Sequence, residues 1–230
     1  MPSLLLTNAN RLLNKIDDLS LLVQSHAPDL IAITETWLDA GVPDAGVSLQ
    51  HYSIVRRDRK LQQGGGVALY VNNNLSFHAF DMIVDNVSEF EILWVSIRPR
   101  LLPRQISILI VAIIYCPPSY NVASQNELSR LILNCTDKLK QRYPNSGFIL
   151  CGDFNQLNTS NFNHHLCFKQ VISFPTRGFN MLDKIFMNCS QFYSAPVCLS
   201  PLGRSDHCCV FMSSTGVRTK CATNKQYCAS

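Results

Sequence analysis

No stretch of this sequence is long and apolar enough to cross a bilayer. The longest near-continuous apolar run, Ile106–Tyr115, has ten residues including Ser107, against the roughly 20 that a helical span needs. It reads instead as a buried central strand. The amino terminus has no basic region ahead of Leu4–Leu6 and no apolar core of signal-peptide length, so nothing there directs secretion. Ten cysteines are present without a Cys-x-x-Cys pair or a His-x-x-x-His, which removes the usual zinc-site patterns. Cys116, Cys135, Cys151, Cys189, Cys208 and Cys209 sit within or beside apolar runs and are expected to be reduced, mostly buried thiols of an intracellular protein. Cys221 and Cys228, in a polar tail, are the two expected to be open to oxidation.

Neither a repeat nor a linker divides the chain. One domain is expected over residues 1–212, with 213–230 a loose polar tail. With 230 residues and 47% hydrophobic content the chain can bury a large core, which excludes disordered and collagen-like classes. Net charge is only +4, but it is unevenly spread. Arg56, Arg57, Arg59 and Lys60 crowd one loop and Arg98, Arg100 and Arg104 another, while Arg177, Lys184 and Arg204 flank the residues singled out below. Such clusters suit a solvated basic face or a nucleic-acid partner.

Along the chain, Leu4–Asn8 reads as a strand that starts almost at the first residue. Leu12, Ile16, Leu19 and Leu22 recur at helical spacing, giving an amphipathic helix over Leu12–Ser25 that Pro28 ends. Strands are expected at Leu30–Thr34, Tyr52–Val55, Val67–Val71, Phe90–Ile97 and Gln105–Tyr115. Ser124-Gln125-Asn126-Glu127 matches a capping box opening a helix that runs to about Tyr143. Further strands are expected around Phe148–Cys151, Met181–Met187, Tyr193–Leu199 and Cys208–Met212, an alternation that points to an α/β domain. Gly64-Gly65-Gly66 lacks a following Lys-Ser or Lys-Thr and leads into a strand, so it is not read as a phosphate loop.

Chemistry concentrates where strands end. In Ile-Leu-Cys-Gly-Asp-Phe-Asn, Gly152 ends an apolar run, and Asp153 and Asn155 emerge together if the chain stays extended. Asn8 closes Leu4–Leu6, Glu35 follows Leu30–Ile33, Tyr115 closes Ile106–Ile114, Asp183 lies inside Met181–Met187, and Ser205-Asp206-His207 precedes Cys208–Met212. Each has a bland alternative as a turn, cap or core residue. Six such runs together suggest one shared cleft.

These residues carry a resemblance. Asn8, Glu35 in Ile-Thr-Glu-Thr-Trp, Gly64-Gly65-Gly66-Val67-Ala68, Tyr115 before Pro-Pro, Gly152-Asp153-Phe154-Asn155, Pro175-Thr176-Arg177 with Leu182-Asp183, and Ser205-Asp206-His207 come in one order. That order resembles the endonuclease/exonuclease/phosphatase superfamily, and more narrowly the apurinic-endonuclease-like domain of LINE-type non-LTR retrotransposons, from about Leu4 to Met212. The resemblance implies a DNase I-like four-layer α/β sandwich, with two mixed β-sheets face to face and helices outside. It implies Mg²⁺, or Mn²⁺ in its place, held by Glu35 with Asn8 beside it and Asp206 assisting the metal or His207. Asp153 would orient or deprotonate the attacking water and Asn155 would hold it in line. His207, its tautomer fixed by Asp183, and Tyr115 would donate to the phosphate. Ser205, Thr176, Arg177 and Arg57 would contact the substrate.

The implied activity is metal-dependent nicking of double-stranded DNA that leaves a 3′-hydroxyl to prime reverse transcription, in the nucleus, by a monomer without membrane attachment. No polymerase segment lies in these 230 residues. Two other readings stay open at this stage. One is a repair-type apurinic endonuclease. The other is an inactive nucleic-acid-binding relic, suggested by a first strand that begins at Met1 or Pro2, where the family has a few residues more ahead of Asn8.

Overall fold

The computed structural model describes residues 1–59, 64–80 and 90–215. Lys60, Cys221, Cys228 and all but the first three residues of the expected tail lie outside them. Two six-stranded sheets pack face to face. The first runs β11 (Val197–Leu199), β12 (Cys209–Met212), β1 (Leu4–Asn8), β2 (Leu30–Thr34), β4 (Val67–Asn72) and β3 (Tyr52–Arg57). The second runs β5 (Ser76–Ala79), β6 (Glu91–Arg98), β7 (Ile108–Tyr115), β8 (Ser146–Asp153), β10 (Asp183–Met187) and β9 (Lys169–Gln170).

Alternation of side chains produces the layers. Leu4, Leu6, Ala32 and Leu69 of the first sheet meet Leu93, Val95, Val111 and Ile149 of the second, while Leu5, Ile31 and Tyr70 face outward under helix α1 (Ile16–His26). Ile92, Trp94, Ile110 and Leu150 face outward under α2 (Val122–Arg142) and the short α3 (Ser160–His164). The result is the expected four-layer α/β sandwich, in which β7 is buried along its whole length and reads as an unbroken apolar run.

Local differences have identifiable causes. Helix α2 starts before the expected capping box. Asn121 is extended and its side chain accepts from Ser124 N at 2.9 Å, so a cap upstream wins and Ser124 falls inside the first turn. The first turn of the expected Leu12–Ser25 helix is a 3-10 turn, Leu12–Lys15, that precedes α1. The segment from Tyr193 is strand only at Val197–Leu199, after Pro196, and β5 was missed because its exposed edge residues carry no apolar run. Strand β8 does not end at Gly152 but passes through it to Asp153. Ser213 accepts from Ser194 N and Thr215 N donates to Phe192 O, so regular pairing continues through the first residues of the expected tail.

Candidate active site

Strand direction decides what meets at one rim of the sandwich. β1 and β2 run parallel, as do β7 and β8, so their carboxyl ends share an edge and deliver Asn8, Glu35, Tyr115 and Asp153 there. β10 and β12 run antiparallel to their neighbours β8 and β1, so they deliver the residues at their beginnings, Asp183 and the His207 loop. Across the second sheet the register sets Glu91 beside Tyr115, Tyr115 beside Asp153, and Asp153 beside Asp183. Cross-strand neighbours point to the same face, so these four side chains form one polar row on an otherwise apolar layer.

Hydrogen bonds join that row to the first sheet. Asn8 Nδ2 donates to Glu35 Oε1 and to Asp153 Oδ2, each at 2.9 Å, while Asn8 Oδ1 accepts from Asn10 N at 3.0 Å. The Tyr115 hydroxyl donates to Glu35 Oε1 at 3.0 Å, and Trp37 Nε1 lies 3.4 Å from Glu35 Oε2. His207 Nδ1 is 2.7 Å from Asp183 Oδ2, both residues buried. Asn155 does not continue the extended strand. It sits in the left-handed region at φ 43, its backbone N donates to Asp153 Oδ1 at 3.0 Å, and its side chain donates to the Cys116 carbonyl at 2.9 Å.

The electrostatics are those of crowded acids. Burial, and then the charge of Asp183, push the Asp153 carboxyl up to about 7, against His207 and the donors from Asn155 and Asn8. Burial opposes charge on His207, yet the hydrogen bond and charge of Asp183 outweigh it and hold the imidazole above its ordinary pKa. Burial, followed by the charge of Glu35, raises the Tyr115 phenol. Ligand atoms of Asp153, Asp183 and His207 lie within 4.8 Å of one another, and Asp183 Oδ1 is buried with no hydrogen-bond partner among the described residues. An orphaned carboxylate oxygen beside a second buried acid is what a cation would satisfy, so this cluster could hold a metal ion.

The backbone around Glu35 is strained and braced. Glu35 and Trp37 are left-handed at φ 51 and 56, conformations that cost L residues about 1–2 kcal/mol each. The triple-glycine loop supports them: Thr36 N donates to Gly66 O at 3.2 Å and Trp37 N to Gly65 O at 2.8 Å. Gly66 is at φ 81, and a Cβ there would stand 2.4 Å from Thr36 Oγ1. The buried Glu91 carboxylate accepts from Gly66 N and from Arg59 Nε, the latter at 2.6 Å. The glycines are therefore a bracket for the Glu35 turn.

The remaining expected residues are placed differently. Ser205 Oγ donates to the Asn8 carbonyl at 2.8 Å, tying the His207 loop to β1, and Thr176 Oγ1 accepts from Leu182 N and Asp183 N. Asp206 is half exposed and paired with Arg177 at 2.6 Å, outside the Asp153–Asp183–His207 cluster. Arg57 lines a cleft of about 740 Å³ with Asp39, Arg56, Asp58 and Arg59. Arg98 lies at the far end of β6 from Glu91.

Sequence reasoning passed over Trp37, Glu91 and Phe179. Phe179 is fully exposed at the tip of a tight turn, where Arg177 and Asn180 pair and Gly178 has φ 55. A turn glycine followed by a large aromatic residue was the available signal.

The model of the Endonuclease/Exonuclease/phosphatase family matches residues 5–207. The AP endonuclease LMAP from Leishmania major is similar in structure, with TM-score 0.70 and 13% identity over 92% of this chain and 86% of that one. The endonuclease domain of TRAS1, a telomere-specific non-LTR retrotransposon, has TM-score 0.68 and 14% identity over 92% and 96%. The 3′-5′ exonuclease NExo from Neisseria meningitidis has TM-score 0.67 and 14% identity over 92% and 99%. No curated protein matches the chain by sequence. Among the described residues no helix is long and apolar enough to cross a membrane.

Proposed function

This chain belongs to the Endonuclease/Exonuclease/phosphatase family, and from that premise we propose that it is a metal-dependent endonuclease that nicks double-stranded DNA and leaves a 3′-hydroxyl. The observation that carries this reading is the rim cluster of Asp153, Asp183 and His207, joined through Asn8 to Glu35. A divalent ion, Mg²⁺ or Mn²⁺, supplies positive charge against the phosphodiester oxygens when bound. Glu35, with Asn8 behind it, and the carboxylates of the cluster are the residues to hold it.

The chain's own groups then divide the work. Asp153 takes a proton from the attacking water, held in place by Asn8 and by the backbone N–H of Asn155. His207, kept charged by Asp183, donates to a phosphate oxygen. The P–O3′ bond breaks and the 3′ oxygen picks up a proton from solvent. Arg177 and the exposed Phe179 stand beside this rim, and the cleft with Arg57 and Arg59 offers a path for the duplex backbone. The motif order and the likeness to the TRAS1 domain favour a retrotransposon-derived enzyme that primes reverse transcription at the nick, working in the nucleus with a polymerase.

Conversion of supercoiled plasmid to open circle tests this reading. Nicking is expected with Mg²⁺ or Mn²⁺ and not with a chelator; well-folded protein that nicks equally in both, or in neither, would rule it out. A duplex carrying one abasic site, cut far faster than plasmid, would identify a repair enzyme instead. The pH dependence follows from the acids. Asp153 must be ionised to accept a proton, so nicking rises with pH with a midpoint no higher than about 7, since a bound cation lowers it. It falls again where His207, held above its ordinary pKa, loses its proton. A rate that falls, rather than rises or stays level, as pH increases from about 5 to about 7 would remove Asp153 from this role.

A further inference from the structure

We propose that Trp37 is a positioning residue for Glu35, and that its indole ring reports the arrival of a cation there. The proposal rests on the cation reading above. Among the described residues Glu35 has three side-chain donors, and two of them, Asn8 and Tyr115, share Oε1. Oε2 faces Trp37 Nε1 at 3.4 Å, which makes the indole the donor that fixes the carboxylate's rotation.

The ring is not free to swing away. The Arg11 guanidinium lies over it, 4.6 Å from the centroid. The glycine loop also touches it: a Cβ at Gly64 would stand in ordinary contact, 3.4 Å from Cε2 and 3.6 Å from Nε1, and the φ of +90 there suits glycine. Trp37 N is anchored to Gly65 O at 2.8 Å, and that glycine loop is in turn held by Glu91. An aromatic ring in contact with Arg11 and the glycine loop, with its N–H facing a half-buried carboxylate, orients a ligand before the cation binds.

The chain has one other tryptophan, Trp94, which faces outward from β6 into the α2 layer, away from the rim. Quenching by a paramagnetic ion at Glu35 should therefore come from Trp37 alone. Mn²⁺ is titrated into the parent protein and into Trp37→Phe, with free Mn²⁺ counted by electron spin resonance and fluorescence read in parallel. Phenylalanine keeps a ring against Arg11 and Gly64 but removes the N–H. In the parent, fluorescence should fall saturably with the midpoint given by spin resonance. In Trp37→Phe the quench should disappear and Mn²⁺ should bind about tenfold more weakly, with an unchanged melting curve. Mn²⁺ binding as tight in Trp37→Phe as in the parent, or a parent whose fluorescence is unmoved as the site fills, would overturn the proposal. A parent that binds no Mn²⁺ would overturn the cation reading itself, and this proposal with it. Neither result depends on turnover, so a loss of nicking for other reasons leaves the two distinguishable.

Discussion

Asp153→Asn should lower plasmid nicking by about 1000-fold, the typical range for a group that moves a proton in the rate-limiting step, while the protein stays folded. Burial and the neighbouring Asp183 push the Asp153 pKa up to about 7 in the native state, from an unfolded value near 3.8. A raised carboxyl pKa means that the folded chain binds the proton more tightly than the unfolded one. Ionisation of Asp153 therefore opposes folding, progressively from the unfolded value upward and fully above about pH 7. Asparagine removes that cost, which offsets the loss of one acceptor: the carboxylate takes both Asn8 Nδ2 and Asn155 N, and an amide has a single oxygen for them. At pH 8 the melting temperature is expected to match or exceed the parent's. Nicking within about tenfold of the parent would show that another group takes the proton.

Gly152→Ala should cost stability rather than chemistry alone. Gly152 has φ +145, and a Cβ built there would lie 1.9 Å from the Ile114 carbonyl oxygen and 2.8 Å from its carbon. Both are backbone atoms of β7, which is paired along its whole length with β8 and cannot yield as a side chain would. Backbone strain and overpacking each cost about 1–3 kcal/mol, so a loss of about 2–6 kcal/mol is expected. For a domain of this size the melting temperature should fall on the order of 10 °C. Gly178→Ala is the internal comparison. Its φ of +55 is also left-handed, but nothing lies within 4 Å of the added carbon, so about 1 kcal/mol is expected. Equal melting curves for the two variants would mean that the close approach of β7 and β8 at Gly152 contributes nothing.

Much of this architecture was legible because apolar runs of strand length each ended in a polar residue, and a parallel pair aligns its carboxyl ends. Asn8, Glu35, Tyr115 and Asp153 share a rim for that reason. The resemblance, not the spacing, supplied the partnership of Asp183 and His207, because two antiparallel strands in different sheets bring it about. Other features were hidden by physics that no window of sequence displays. The left-handed turn at Asn155 broke the extended geometry expected from its two-residue spacing to Asp153. Asp206, read as a helper of the metal or of His207, pairs with Arg177, a contact set by how the Thr176 turn folds back, and its charge is among those that raise His207. Glu91 looked like one more strand residue until the register set it beside Tyr115 and under Gly66. The edge strand β5 carried no apolar signal because it has almost nothing to bury.

Strand β1 hydrogen-bonds on one side to β2 and on the other to β12, pairing Leu4 with Met212 and Leu6 with Val210. In folding, one edge of β1 must therefore wait for β12, a strand far along the chain. Until Cys209–Met212 are made, Leu4–Leu6 have one unpaired edge. Asn8 and His207 are therefore brought together only when the sheet closes at β12. The rim is thus completed by contacts across 197 positions of sequence, as from Ser205 to Asn8.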